Sequence, residues 1–240
     1  MALNMKNSSQ KFIQVNGEAL PYRVERRRVR YSRLEFNAYE LLVILPMKGG
    51  DEMNLLEEKK RWISKNHAQI RNAIEKLGGV NSNGLPILGD FFELHENGRL
   101  KVDFDAKVIE YDPSDGKQLR RLGRILKRKL LGELEPAVEE YSRKLGVGFN
   151  RITVRKMRSK WASCSSNGNL SFNLRLICLP REIIRYLACH EVAHLKEKKH
   201  GDAFWAIMER EFKNYGAMEI KLFEYWFFVQ TLKSTQKIVS

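Results

Sequence analysis

The pentapeptide His190-Glu191-Val192-Ala193-His194 constrains this chain more than any other stretch. On an α-helix, histidines four apart lie on the same face, one a turn above the other. In that conformation two ring nitrogens converge on one ion at about 2.0–2.1 Å. Glu191, next to the first histidine, is placed to reach a water on that ion rather than the ion itself. By ordinary residue frequencies, a chain of this size holds such a pattern by chance with odds on the order of one percent. The segment is therefore predicted as a helix that carries a metal.

The flanks agree with a helix. Ile183, Ile184, Leu187 and Ala188 lead in, and Val192, Ala193 and Leu195 continue it. Pro180 suits a first turn. The charged run KEKKH, followed by Gly201, ends it. A zinc ion with three protein ligands keeps one position open for chemistry. His200, six residues after His194, is the candidate third ligand; a more distant Glu or Asp is the alternative. Cys189 adjoins His190 but points about 100° away around the helix, so it is not assigned to the metal. The histidine spacing is also that of metzincins. Their glycine three residues before the third histidine is Glu197 here, so the chain is not read as one of them.

Around this helix the chain reads as α+β. Strand-like alternation runs from about Gln14 to Met47 and ends in YELLVILP. A helix is expected from Met53 to the glycines at 78–79, then short strands in PILGDFFELHE, RLKVDF and KVIEYD. At Lys117 the character changes. Leu119, Leu122, Leu126 and Leu130 form an apolar stripe, with Arg120, Arg121, Arg124, Lys127 and Arg128 filling the other face. Pro136 is expected to kink or divide this helix, and Gly146 to stop it. ITVRKM and LSFNLRLI then read as a small hairpin, and helices follow from about Asp202 to Tyr215 and through the last stretch. No internal repeat is evident. The predicted division is a mainly-β region with one helix at 1–115 and a catalytic domain at 116–240.

Composition narrows the setting. Lys and Arg number 43 against 29 Asp and Glu, a formal charge of +14, which favours polyanions or acidic partners in encounter without establishing either. The residues 1–10 read as a loose polar leader without a secretory core. No apolar run reaches membrane-spanning length. Three widely spaced cysteines, Cys164, Cys178 and Cys189, make a disulfide framework implausible, and a reducing cytoplasm is expected.

The stretch 159–208 resembles the YgjP-like metallopeptidase family, a relative of the SprT-like and WLM-type zinc proteases. The resemblance is carried by Trp161-Ala162-Ser163-Cys164-Ser165, Asn173, Pro180, His190 to His194, His200 and Phe204-Trp205. It extends more loosely to EEKKRWI (57–63) and LGDFFEL (88–94). Ala162 departs from the pattern, in which glycine is usual. The resemblance implies a minimal zincin: a backing helix, a small antiparallel sheet, the active-site helix and a following helix. It implies one zinc ion held by His190, His194 and His200, with Glu191 as general base and acid.

The reaction expected is hydrolysis of a peptide or protein substrate. The strand at 169–176 is a candidate for pairing with an extended substrate, and Asn173 for presenting its amide to the substrate backbone; a turn or core hydrogen bond is the other reading of Asn173. His67, Tyr215 and Arg158 are available as oxyanion stabilisers, none singled out by spacing. Two other functions stay open. A metal-activated water also attacks phosphorus, which allows a nucleoside triphosphate pyrophosphatase. The basic segments 23–33 and 117–129 could meet nucleic acid, as in a DNA-linked protease, although arginines opposite a leucine stripe are usually a solvated face and no nucleic-acid-binding motif is present.

Overall fold

The computed structural model describes residues 11–38, 40–78 and 84–239. The expected leader at 1–10 and Gly79 lie outside them. Two compact units form, Met1–Gly79 and Val80–Ser240. The change of character read near residue 115 falls within the second unit, at the start of its longest helix.

In the first unit, β1 (Lys11–Val15), β2 (Glu18–Arg27), β3 (Arg33–Phe36) and β4 (Leu41–Pro46) form one sheet in the order β1-β2-β4-β3. β4 is buried along Leu41–Leu45, as befits a central strand covered on both faces. Leu41, Val43 and Leu45 pack with Val15, Leu20 and Tyr22 and with Leu56 and Ile63 from α1 (Glu52–Glu58) and α2 (Lys60–Leu77). The single helix expected from Met53 is thus two, broken at Lys59. Asp51 caps the first by accepting from the Met53 and Asn54 amides.

The second unit opens with β5 (Gly84–Ile87), β6 (Asp90–Glu96), β7 (Lys101–Asp103) and β8 (Val108–Tyr111), in the order β5-β6-β8-β7. This is the strand order of the first sheet. In each, a hairpin is followed by an edge strand and a strand parallel to the hairpin's second arm. The hairpin turns also correspond: Asn16-Gly17 and Leu88-Gly89 both hold two consecutive positive φ angles, the signature of a type I′ turn. A repeat of topology is present where none was evident in the letters.

Next, α3 (Gly116–Leu145) backs the site. Asp115 caps its start and Gly146, at φ 64°, its end. Pro136 neither divides nor ends it. Its missing hydrogen bond would have gone to the carbonyl of Gly132, and both residues are exposed, so water can take that acceptor. Leu122, Leu126, Leu130 and Leu134 are fully buried, about 2 kcal/mol of burial each, against α4 (Arg181–Lys196) and its surroundings. The arginines opposite them are exposed, as a solvated face should be.

The third sheet holds β9 (Arg151–Arg155), β10 (Ala162–Cys164) and β11 (Asn169–Asn173), in the order β10-β11-β9. It is mixed rather than antiparallel. The polar turn at Ser165–Gly168 joins β10 to β11, whereas β9 runs parallel to β11. β11 is therefore central and cannot accept a further strand; the edges are β10 and β9. A 3-10 turn at Leu174–Cys178 leads into α4, followed by α5 (Asp202–Glu211), α6 (Tyr215–Thr231) and α7 (Lys233–Ile238). Among the described residues, no helix is long and apolar enough to cross a membrane.

Candidate metal centre

Pro180 and Glu197 flank α4 as its caps, and the extended backbone of Glu197 releases the chain toward His200. Its inner face is apolar and closely packed: Ile184, Ala188, Val192 and Ala193 are fully buried. That packing fixes the face on which His190 and His194 stand. His200 lies in the connection that follows, just before α5.

The ring nitrogens of His190, His194 and His200 lie within 4.8 Å of one another. The Nε2 atoms of His190 and His200 are 3.0 Å apart. Two nitrogens on one tetrahedral zinc stand about 3.3 Å apart at the usual bond length, so this spacing suits a shared cation. Phe204, fully buried on α5, lies against all three rings at centroid distances of 4.9, 4.7 and 4.7 Å. Trp205 stacks on His200, and Tyr215 stacks on Trp205. The Phe-Trp pair is thus the floor and side wall of the cluster.

His190 and His194 are prepared as neutral ligands. Burial, and then the neighbouring His194 and His200, push His190 down to about 3. Burial also lowers His194. His194 Nδ1 lies 3.0 Å from the Glu197 carbonyl, to which it donates, leaving Nε2 with the lone pair. His190 Nδ1 is buried without a hydrogen-bond partner, and Glu219 Oε1 from α6 stands 3.9 Å away. The Tyr186 hydroxyl donates to the same Glu219 oxygen at 2.5 Å. A carboxylate behind a histidine is the usual means of fixing its ring and its tautomer.

Glu191 is 4 % exposed, and its Oε2 is buried with no partner. Burial pushes its carboxyl up to about 8, against the weaker pull of Lys160. A buried carboxyl oxygen without a partner, beside three clustered imidazoles, is costly in an isolated protein. A cation and its water would resolve that cost, so the donor set fits a divalent metal with nitrogen-ligand preference.

Two cavities meet at this cluster. One, about 430 Å³, is the more polar of the two and is lined by Lys160, Ser163, Cys164, Ser165 and Lys198 together with His190, Glu191, His194 and His200. The other, about 510 Å³, shares His190, Glu191 and His200 but is walled by aromatic and aliphatic side chains.

The structure brings His190, Glu191, His194 and His200 together, and leaves Asn173 apart. Asn173 is fully buried. Its amide donates to the carbonyls of Met157 at 2.9 Å and Lys160 at 2.8 Å, and its carbonyl oxygen accepts from the Arg175 amide. Both amide hydrogens are committed, so it clamps the loop before β10 instead of offering its amide to a substrate backbone. Tyr215 and Arg158 do not line either cavity, and His67 belongs to the first unit. Cys189 is fully buried away from the cluster, its thiol pushed up to about 12 by burial. Glu219, Tyr186 and Lys160 were not found by spacing. Glu219 lies 29 positions from His190 on another helix, and no local period connects them.

The YgjP-like metallopeptidase domain model matches residues 30–224, and the chain belongs to that family. Among solved structures, the metallopeptidase zymogen of Pyrococcus abyssi abylysin is 27% identical, over 36% of this chain and 87% of that one, with a TM-score of 0.33. The metallopeptidase zymogen of Methanocaldococcus jannaschii jannalysin is 26% identical, over 38% and 85%, with a TM-score of 0.34. Among proteins with curated descriptions, none matches.

Proposed function

We propose that this metallopeptidase is zinc-dependent, that His190, His194 and His200 hold one zinc ion, and that Glu191 is the general base and acid. The observation that carries the reading is the buried Glu191 carboxyl, its Oε2 without a partner, beside three imidazoles whose ligand nitrogens lie within 4.8 Å of one another. Zinc bound there would supply an activated water and polarise the scissile carbonyl. Glu191 takes a proton from the attacking water and delivers it to the leaving amine. The burial that raises its carboxyl favours the first of these transfers, because it disfavours the bare carboxylate and so strengthens the base. Glu219 orients His190, with Tyr186 holding Glu219 in place. In this reading the catalytic domain is 116–240.

The substrate pairs with β10. Asn173 N donates to Trp161 O and Ser165 N to Asn169 O, so residues 161, 163 and 165 face β11 in the ladder. In an antiparallel pair the intervening residues turn their N–H and C=O outward. The Ala162 and Cys164 backbones are therefore free for an extended peptide, beside the polar cavity they line. Three unpaired thiols support a reducing compartment.

Metal analysis of the wild type and Glu191→Gln, followed by peptidase assays, tests the reading. About one zinc in each protein, with turnover only in the wild type, is expected. Wild type without stoichiometric zinc sinks it, and equal hydrolysis by both removes Glu191 from the mechanism. Nucleoside triphosphates and nucleic acid are the control substrate and control ligand.

A further inference from the structure

We infer that the apolar cavity beside the histidine cluster receives a bulky hydrophobic side chain of the substrate at a position adjoining the bond that is cut. The inference rests on the metallopeptidase reading above and adds its specificity. The wall is formed by Trp161, Leu187, Leu222, Phe223, Trp226 and Phe227. It is built rather than incidental. The Trp161 indole N–H donates to the Leu222 carbonyl at 3.1 Å, and its ring meets Trp226 edge-on at 5.0 Å. The residue leading into β10 thereby ties the edge strand to α6. Phe223 packs against Phe227 at 5.0 Å.

Continuity with the reacting groups fixes what enters. The apolar cavity and the polar one share Lys160, Ala162, His190, Glu191 and His200, then diverge. A peptide laid along β10 across this junction presents a residue next to its reacting carbonyl to the apolar side. Glu219, at the same cavity, already accepts from Tyr186 and stands behind His190, so its charge has partners other than a substrate cation. A cavity of about 510 Å³ is within the range of small-ligand pockets. It suits Phe, Leu, Met, Tyr or Trp, whose burial supplies discrimination over small or acidic residues.

The zinc-loaded wild type is given a library of unstructured peptides, and the cut sites are read by mass spectrometry. Large apolar residues are expected at one position adjoining the cut, about tenfold or more over Ala or Asp. Phe223→Arg, at a half-buried position, is expected to shift that position toward Asp and Glu. Trp226→Ala is a milder second variant, expected to weaken the preference for aromatic residues. A readout without turnover uses Glu191→Gln: N-acetylphenylalanine amide should shift tryptophan emission saturably, and N-acetylaspartate amide should not. Cutting without preference at either adjoining position overturns the subsite and leaves the metallopeptidase reading intact. An unchanged preference in both folded variants also overturns it. Absence of any cutting by zinc-loaded wild type overturns the reaction and this inference with it.

Discussion

Asn173→Ala separates a structural asparagine from one that touches substrate. The side chain makes three hydrogen bonds to backbone, at 2.9, 2.8 and 3.2 Å, from a fully buried position. A typical internal hydrogen bond contributes about 1 kcal/mol net, which puts the total near 3 kcal/mol. Two corrections act in opposite directions. Lys160 is exposed, so its carbonyl recovers water when the amide is gone. The Arg175 amide, at the start of the 3-10 turn, loses its cap. The expected loss is about 2–4 kcal/mol in the unfolding of the second unit, measured by urea titration with circular dichroism. Because the chain has two units, the transition that does not move serves as an internal reference. The loop from 157 to 161 should also loosen, and with it Lys160, which lines both cavities, and Trp161, which lines the apolar one. A variant that unfolds within about 0.5 kcal/mol of wild type but shows a raised KM would refute this account and return Asn173 to the substrate.

Three further outcomes are expected. Ala162→Pro removes an outward N–H without touching the ladder to β11, so stability should change little while kcat/KM on extended peptides falls about 3- to 10-fold, one hydrogen bond's worth. Glu140 is held down to about 2 by hydrogen bonds to Lys144 and Arg185, so its contribution is complete above the ordinary glutamate value and is lost as pH falls through about 2. Glu140→Gln should flatten that acid limb in a pH-stability profile; the pair is partly exposed, so at pH 7 the loss should be under about 1 kcal/mol, smaller still in high salt. Cys164 lines the polar cavity, whereas Cys178 and Cys189 are buried with thiols pushed up to about 12. A maleimide should therefore label Cys164 alone in the folded protein and block turnover; labelling of Cys178 at the same rate would contradict the burial.

What could be read in the letters was what a single element encodes. Two histidines and a glutamate on one helix declare themselves by a four-residue period, and His200 by its nearness to the end of that helix. Gly146 ends α3 through local backbone chemistry, its φ of 64° being one that glycine adopts freely. The parts that were missed depend on pairing across distance. β10 is three residues long, too short to show alternation, so the turn at Ser165–Gly168 was joined to the wrong arm and the sheet was read as antiparallel. Asn173 sits in a strand where its side chain could face either way, and only the loop folding over it decides. Glu219 and the Trp161–α6 contact require α6 to be in place. The repeated strand order has little common spelling, yet Asn16-Gly17 was a turn signal that could have exposed the first hairpin.

The brevity of β10 has a consequence for the protein's life outside catalysis. An unpaired strand edge invites other chains to add to it, and long, flat, apolar edges lead to aggregation. This edge offers two outward backbone positions, follows Lys160, and ends at once in the Ser165–Gly168 turn. It is long enough to hold a flexible peptide in register, and too short to nucleate a growing sheet. Lengthening it by replacing the turn with β-branched residues would be expected to cost solubility before it improved the grip on substrate.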